Sequence, residues 1–154
     1  MNIKDKSAFI LALLIPIAVG TLSALFSGTM ELYTQINKPE LAPPGFLFPI
    51  VWTVLYILMG ISSYIIFASD APGKTRALNI YALQLFFNFF WSILFFRFHW
   101  YFISFLWLLV MIMLIVIMIG AFHKIKPLAA YLQIPYLLWC VFAAYLNFMI
   151  YRLN

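Results

Sequence analysis

FHWYFISFLWLLVMIMLIVIMIGAFH, residues 98–123, carries no charged side chain from end to end. A helix that crosses the hydrocarbon of a bilayer needs roughly 20 mostly apolar residues. With no water to satisfy backbone polar groups there, only helices and closed barrels can span. A barrel strand would alternate apolar and polar residues over about ten positions, and Leu106 to Ile119 does not alternate. The stretch is therefore read as a membrane-spanning helix. Working outward, four more uncharged runs are long enough to do the same: 7–30, 41–69, 77–96 and 127–151. The fold expected is an all-α membrane protein, a five-transmembrane-helix bundle. It forms a single domain over 1–154, with helices at about 7–28, 45–68, 76–97, 99–122 and 127–151 and one long loop at 29–44. Composition agrees, since 67% of the 154 residues are hydrophobic and 8% charged, against about 25% charged in soluble domains.

The few charges mark the helix ends. One side of the membrane receives Lys4, Lys6, Lys74, Arg76, Lys124 and Lys126, and the other Lys38, Arg97 and Arg152. The positive-inside rule then puts the N-terminus in the cytoplasm and the C-terminus outside, in a multi-pass protein of the cell membrane. The first run resembles a signal peptide in having Lys4 and Lys6 before an apolar stretch. Ala8 to Phe26 exceeds the usual apolar core of a signal, however, so a retained helix is expected. Within it Ala12, Pro16, Gly20, Ala24 and Gly28 recur every four residues. Such a small-residue face lets another backbone approach closely, either inside the chain's own bundle or at a dimer seam.

Conventional catalysis has few parts here. No charge lies within a span, which argues against ion-coupled transport and proton relays. There is no cluster with metal-ligand spacing, no phosphate-binding glycine loop, and no nucleophile with a base beside it. His99 and His123 sit at helix ends. Cys140 is the only cysteine, so no intramolecular disulfide is possible. The cations are scattered rather than clustered, so nucleic acid is not an expected partner; the lipid bilayer is.

What remains is aromatic and amide chemistry. Gln84, Asn88, Trp91 and Phe95 share one face of the third helix, Trp52, Tyr56, Gly60 and Ser63 one stripe of the second, and Tyr136, Trp139, Ala143 and Asn147 one stripe of the fifth. Aromatic stripes usually form core, whereas a buried amide either locks helices together or meets a ligand. At 1.5 Å per residue, Trp52, Trp91 and Asn88 lie roughly 8 to 12 Å from the outer ends of their helices, and Trp107 and Trp139 roughly 14 to 18 Å. The tryptophans thus gather toward the outer half, whereas a simple belt would decorate both interfaces. An aromatic pocket open to the outside is expected, lidded by Tyr33 and the turn at Pro43, Pro44 and Gly45, with Gln84, Asn88 and Asn147 orienting a planar, mostly apolar ligand.

These residues also carry a resemblance. Lys38-Pro39, Pro43-Pro44, Phe48-Pro49, Trp52, Leu55-Tyr56 and Gly60 resemble the loop and second-helix signature of the TspO/MBR family, the tryptophan-rich sensory and translocator (peripheral-type benzodiazepine receptor) proteins. Gln84-Leu85, Asn88, Trp91 and Phe95-Phe96 agree in the third helix. So do Pro135-Tyr136, Trp139, Phe142-Ala143, Leu146-Asn147 and Arg152 in the fifth. The resemblance implies binding of porphyrins such as protoporphyrin IX and of drug-like planar aromatics, commonly by a homodimer. It also implies a ligand site of Trp52, Asn88, Trp91, Trp139, Ala143 and Asn147, with Tyr33, Pro43 and Pro44 from the loop. The chain departs from the family in having Leu41 and Phe46 where other members carry loop tryptophans. Tyr145 and Tyr151 do not stand at sterol-motif spacing from Arg152, so sterol binding is not inferred.

Three functions follow as alternatives. The first is a receptor or carrier for tetrapyrroles, with porphyrin as ligand and no cofactor required. The second is light- and oxygen-dependent porphyrin breakdown, with Trp52 and Trp139 as the participating residues and no general base needed. The third is a scaffold whose aromatics merely pack.

Overall fold

The computed structural model describes residues 5–28 and 31–154. Lys4, used in the charge argument, and the first two residues of the long loop, 29–30, lie outside the described residues. Among the described residues, five helices are long and apolar enough to cross a membrane. They comprise α1 (Lys6–Ser27), α3 (Leu47–Phe67), α4 (Lys74–Ser92, continued by a π-turn over Ile93–Arg97), α5 (Tyr101–Ile125), and the pair α6 (Pro127–Tyr131) and α7 (Ile134–Leu153). Inside the long loop sits a short helix, α2 (Glu31–Gln35). The fifth span is divided because Pro135 has no N–H to continue the helix from Tyr131, so the chain turns at Leu132–Gln133 and restarts.

The environment is legible in what α1 buries. Its buried residues are Pro16, Ser23 and Ser27, while Leu11, Leu14, Ile15, Leu22, Leu25 and Phe26 are exposed. A helix in water would do the reverse. Here the large side chains face lipid and the small and polar ones face protein, as expected where apolar burial does not drive helix association. Asp5 caps the first turn, its carboxylate accepting from the Ala8 N–H at 3.0 Å, which satisfies one of the helix's free donors.

The four-residue stripe of small residues on α1 packs largely within the bundle. A Cβ on Gly60 of α3 would lie 2.7 Å from the Ala12 carbonyl oxygen and 2.8 Å from Leu13 Cα. Pro16 explains part of this approach. It cannot donate to the Ala12 carbonyl four residues back, and that freed oxygen is the one Gly60 meets. Further along, the Tyr56 ring lies directly against Gly20. Thus α1 leans on α3 on one side and on α4 on the other.

The remaining contacts complete the bundle. α5 packs between α4 and α7, with Trp107 stacked on Phe87 at 4.3 Å and its indole N–H donating to the Phe87 carbonyl at 2.8 Å. At the end opposite the long loop, Ser62 of α3 donates to the Ala129 carbonyl of α6 at 2.7 Å. There too the Lys74 ammonium caps the end of α3 through the Ser69 and Phe67 carbonyls. α3 and α7 touch only over a short stretch.

Candidate functional site

Between α1, α3 and α4, toward the loop end of the bundle, lies a cavity of about 350 Å³. Its α3 wall is aromatic: Trp52 stacks on Tyr56 with ring centroids 5.3 Å apart, and Trp52 also stands 6.5 Å from Trp91 of α4. Phe48, Pro49 and Thr53 extend this wall, and Phe96 closes it from the π-turn. The α1 wall is small and polar: Gly20, Thr21, Ser23, Ala24, Ser27 and Gly28. Thr21 and Ala24 on α1 and Pro49 and Thr53 on α3 line the cavity yet are exposed. The space therefore opens sideways between these two helices toward lipid. Among the described residues, none that lines it is charged.

Behind the aromatic wall runs a chain of buried hydrogen bonds. The Tyr56 hydroxyl donates to Asn88 Oδ1 at 2.9 Å, and Asn88 Nδ2 donates to the Tyr136 hydroxyl at 3.1 Å. Tyr136 in turn donates to Gln84 Oε1 at 2.8 Å. This links α3, α4 and α7 through the bundle centre. A second set holds Trp91 in place: its Nε1 donates to Asn147 Oδ1 at 3.1 Å, which also accepts from Ser104, while Asn147 Nδ2 donates to the Tyr101 carbonyl at 2.7 Å. Buried polar groups in lipid need such partners. Here the partners also fix the rings that face the cavity.

The structure brings together some of the residues singled out in the sequence and separates others. Trp52, Tyr56, Asn88 and Trp91 line the cavity. Asn147 stands behind Trp91 and holds it, while Gln84 holds Tyr136, which in turn bonds Asn88 of the wall. Ala143 is buried in the core. Trp139 lies in the seam between α3 and α7, where it lines a separate, open apolar groove of about 530 Å³ with Val51, Leu55 and Phe142. Tyr33, Pro43 and Pro44 do not line the cavity; they build the cap over the bundle end. Tyr33 is 4% exposed, packs edge-on against Phe48 at 5.1 Å, and donates its hydroxyl to the Pro43 carbonyl at 2.9 Å. Burial holds its phenol above the ordinary value, so it stays a donor through neutral pH. The serines of α1 and Ser92 of α4 join the site without standing on any of the aromatic or amide stripes. Their trace in the sequence was the α1 stripe, since Gly20, Ala24 and Gly28 both let neighbours approach and leave the space.

The cap is fastened to the far end of the chain. Asn37 N–H donates to Asn154 Oδ1 at 3.0 Å, and Asn154 Nδ2 donates back to the Asn37 carbonyl at 3.0 Å. Asn154→Ala should therefore loosen the loop without unfolding the bundle. Amide hydrogen exchange at Asn37 is expected to speed up about tenfold, the effect of losing roughly 1.4 kcal/mol of local protection, with melting nearly unchanged.

The comparisons fit this architecture. Residues 12–152 match the model of the TspO/MBR family. The chain is 36% identical to the tryptophan-rich protein TspO of Archaeoglobus fulgidus, over 100% of this chain and 99% of that protein. It is 36% identical to the tryptophan-rich sensory protein of Cereibacter sphaeroides, over 80% of this chain and 77% of that one. To the translocator protein of Sus scrofa it is 33% identical, over 92% and 86%. With that coverage joined to five membrane-crossing helices and a tryptophan-walled cavity, the chain belongs to the TspO/MBR family of multi-pass membrane proteins.

Proposed function

We propose that the chain is a membrane receptor or carrier that binds porphyrins, protoporphyrin IX among them, and other planar aromatic molecules, with a role in tetrapyrrole sensing, transport or turnover. The observation that carries this reading is the wall of Trp52, Tyr56 and Trp91 around a cavity that has no charge among its described lining residues and opens to lipid. Flat rings find stacking partners there, and stacked aromatic pairs contribute about 0.5 to 1.5 kcal/mol each beyond burial. The cavity is at the small end of the usual 300 to 1,000 Å³ range for ligand pockets. A porphyrin would insert one edge and leave the rest in the opening between α1 and α3. The relatives' names, sensory protein and translocator, agree with a ligand-handling role. The same proposal places the N-terminus in the cytoplasm by the positive-inside rule and takes the protein as a homodimer, as the family resemblance implies.

Titration of the detergent-solubilised protein with protoporphyrin IX tests it. Saturable quenching of tryptophan fluorescence is expected. The Trp52→Phe, Trp91→Phe double variant should bind about tenfold more weakly, equivalent to 1.4 kcal/mol, while Trp139→Phe binds as wild type. Unchanged affinity in the double variant would falsify the site.

A second reading is favoured by the contacts of Trp52, which meets Tyr56, Trp91 and Tyr136. A light-excited porphyrin against Trp52 could exchange an electron with this cluster, and dioxygen would then oxidise the ring. Trp139, in the other groove, stands away from that cluster. Product spectra under illumination decide it: the same products and rates as free porphyrin leave a binder alone.

A further inference from the structure

The cavity's polar corner is formed by Ser23 and Ser27 of α1 and Ser92 of α4. Ser23 is 3% exposed and Ser27 5%, so both have left solvent and their hydrogens must be accounted for. Each hydroxyl has one proton. Ser23 donates to the Phe89 carbonyl at 2.6 Å, so its close contact with Ser92 Oγ has Ser92 as donor. Ser27 donates to the Ser23 carbonyl at 2.6 Å. All three protons are thus engaged with protein acceptors. What the corner turns toward the space is oxygen lone pairs, two each on Ser27 and Ser92 and one on Ser23. Nearby donors are engaged likewise: Thr53 with the Pro49 carbonyl, Tyr56 with Asn88 and Trp91 with Asn147. Asn88 retains a second amide hydrogen, and Thr21 stands at the lipid opening, both outside the serine corner.

We infer that the Ser23, Ser27 and Ser92 corner is a ligand-selecting subsite, which accepts an N–H or O–H at the edge of a planar aromatic ligand and disfavours a ligand that presents an acceptor there. This rests on the proposal that the α1/α3/α4 cavity binds planar ligands. A ligand carbonyl or ether oxygen at the corner would face lone pairs with no serine proton between them, and the nearby Arg97 guanidinium is turned to the Phe26 carbonyl. To donate to it, Ser27 would have to turn and leave the Ser23 carbonyl unpaired. A ligand N–H makes a new bond and breaks none, and buried groups discriminate most strongly when the wrong ligand leaves a polar atom unpaired.

Three tricyclic compounds of nearly the same shape test the corner. Carbazole presents an edge N–H, fluorene a CH₂ and dibenzofuran an acceptor oxygen. Binding is measured by calorimetry in detergent micelles against empty micelles, with protoporphyrin IX titrated in parallel. Carbazole should bind about tenfold more tightly than dibenzofuran, with fluorene between. In the Ser23→Ala, Ser27→Ala, Ser92→Ala triple variant carbazole should fall to the fluorene value, with a cooperative melting transition reporting an intact fold. Equal affinities for carbazole and dibenzofuran in the wild type overturn the subsite. So does a carbazole preference that survives in the triple variant, or failure of all three to bind while protoporphyrin IX binds. If protoporphyrin IX also fails, the cavity proposal itself falls.

Discussion

Gly60→Ala is expected to force α1 and α3 apart and to destabilise the bundle strongly. The new Cβ would meet the Ala12 oxygen at 2.7 Å, Leu13 Cα at 2.8 Å and Leu13 Cδ2 at 3.0 Å. Two of these three atoms are backbone and have no rotamer to change, so α1 and α3 must separate. Overpacking of this kind costs about 1 to 3 kcal/mol, and a clash against backbone belongs at the upper end. In a chain of this size it should lower the melting temperature in detergent by about 10 °C. Gly120→Ala is the matching control. Nothing lies within 4 Å of a Cβ there, in the middle of α5's last turns, so the better helix propensity of alanine should leave stability unchanged or raise it by about 0.5 to 1 kcal/mol. Equal melting temperatures for the two variants would refute the close α1/α3 approach.

Asn88→Leu should be the next most costly change. It removes the acceptor of Tyr56 and the donor to Tyr136 together, leaving the Tyr56 hydroxyl buried without a partner. An unsatisfied buried group costs about 1 to 3 kcal/mol, although hydrogen bonds between membrane helices measure less, about 0.6 on average. A loss near 2 kcal/mol is expected, read as a fall in melting temperature of about 6 °C. The double variant with Tyr136→Phe gives the sharper reading. Members of one network are not additive, so the two changes together should cost clearly less than their sum. Strict additivity would mean that the chain of bonds does not act as a unit.

The sequence carried the five spans because charge placement answers to the bilayer, a solvent the chain cannot negotiate with. It also carried the faces of individual helices. Trp52 and Tyr56 on α3, and Asn88 and Trp91 on α4, do line one space. Helical periodicity is silent, however, on which helix stands opposite a face. The aromatic stripe of α7 was grouped with these residues because Trp139 has the same residue type at a compatible depth. Yet α1 inserts between α3 and α4, while Trp139 lies in the seam that α7 shares with α3. The same silence hid the serine corner. Ser23 and Ser27 meet Ser92 only because α1 reaches α4, and nothing local to either helix announces that meeting. Asn147 sits one bond behind the wall and Gln84 two for a related reason: spacing assigns a face but not the distance from a cavity that other helices define.

The seam between α3 and α7 bears on how so small a cavity can take a large guest. α3 is pinned at one end by the Ser62 bond to the Ala129 carbonyl. At the loop end it meets α7 through the edge contact of Phe48 with Trp139, which has no hydrogen bond to stretch. Mechanically this is a hinge with its pin at one end and a sliding contact at the other. Because α1 is locked to α3 at Gly60, swinging α3 about Ser62 would carry α1 along as one leaf and would have to break the Ser23 and Tyr56 bonds to α4. The volume gained would come at the loop end, where the tryptophans are, and the displaced neighbour on the far side would be fluid lipid rather than packed protein.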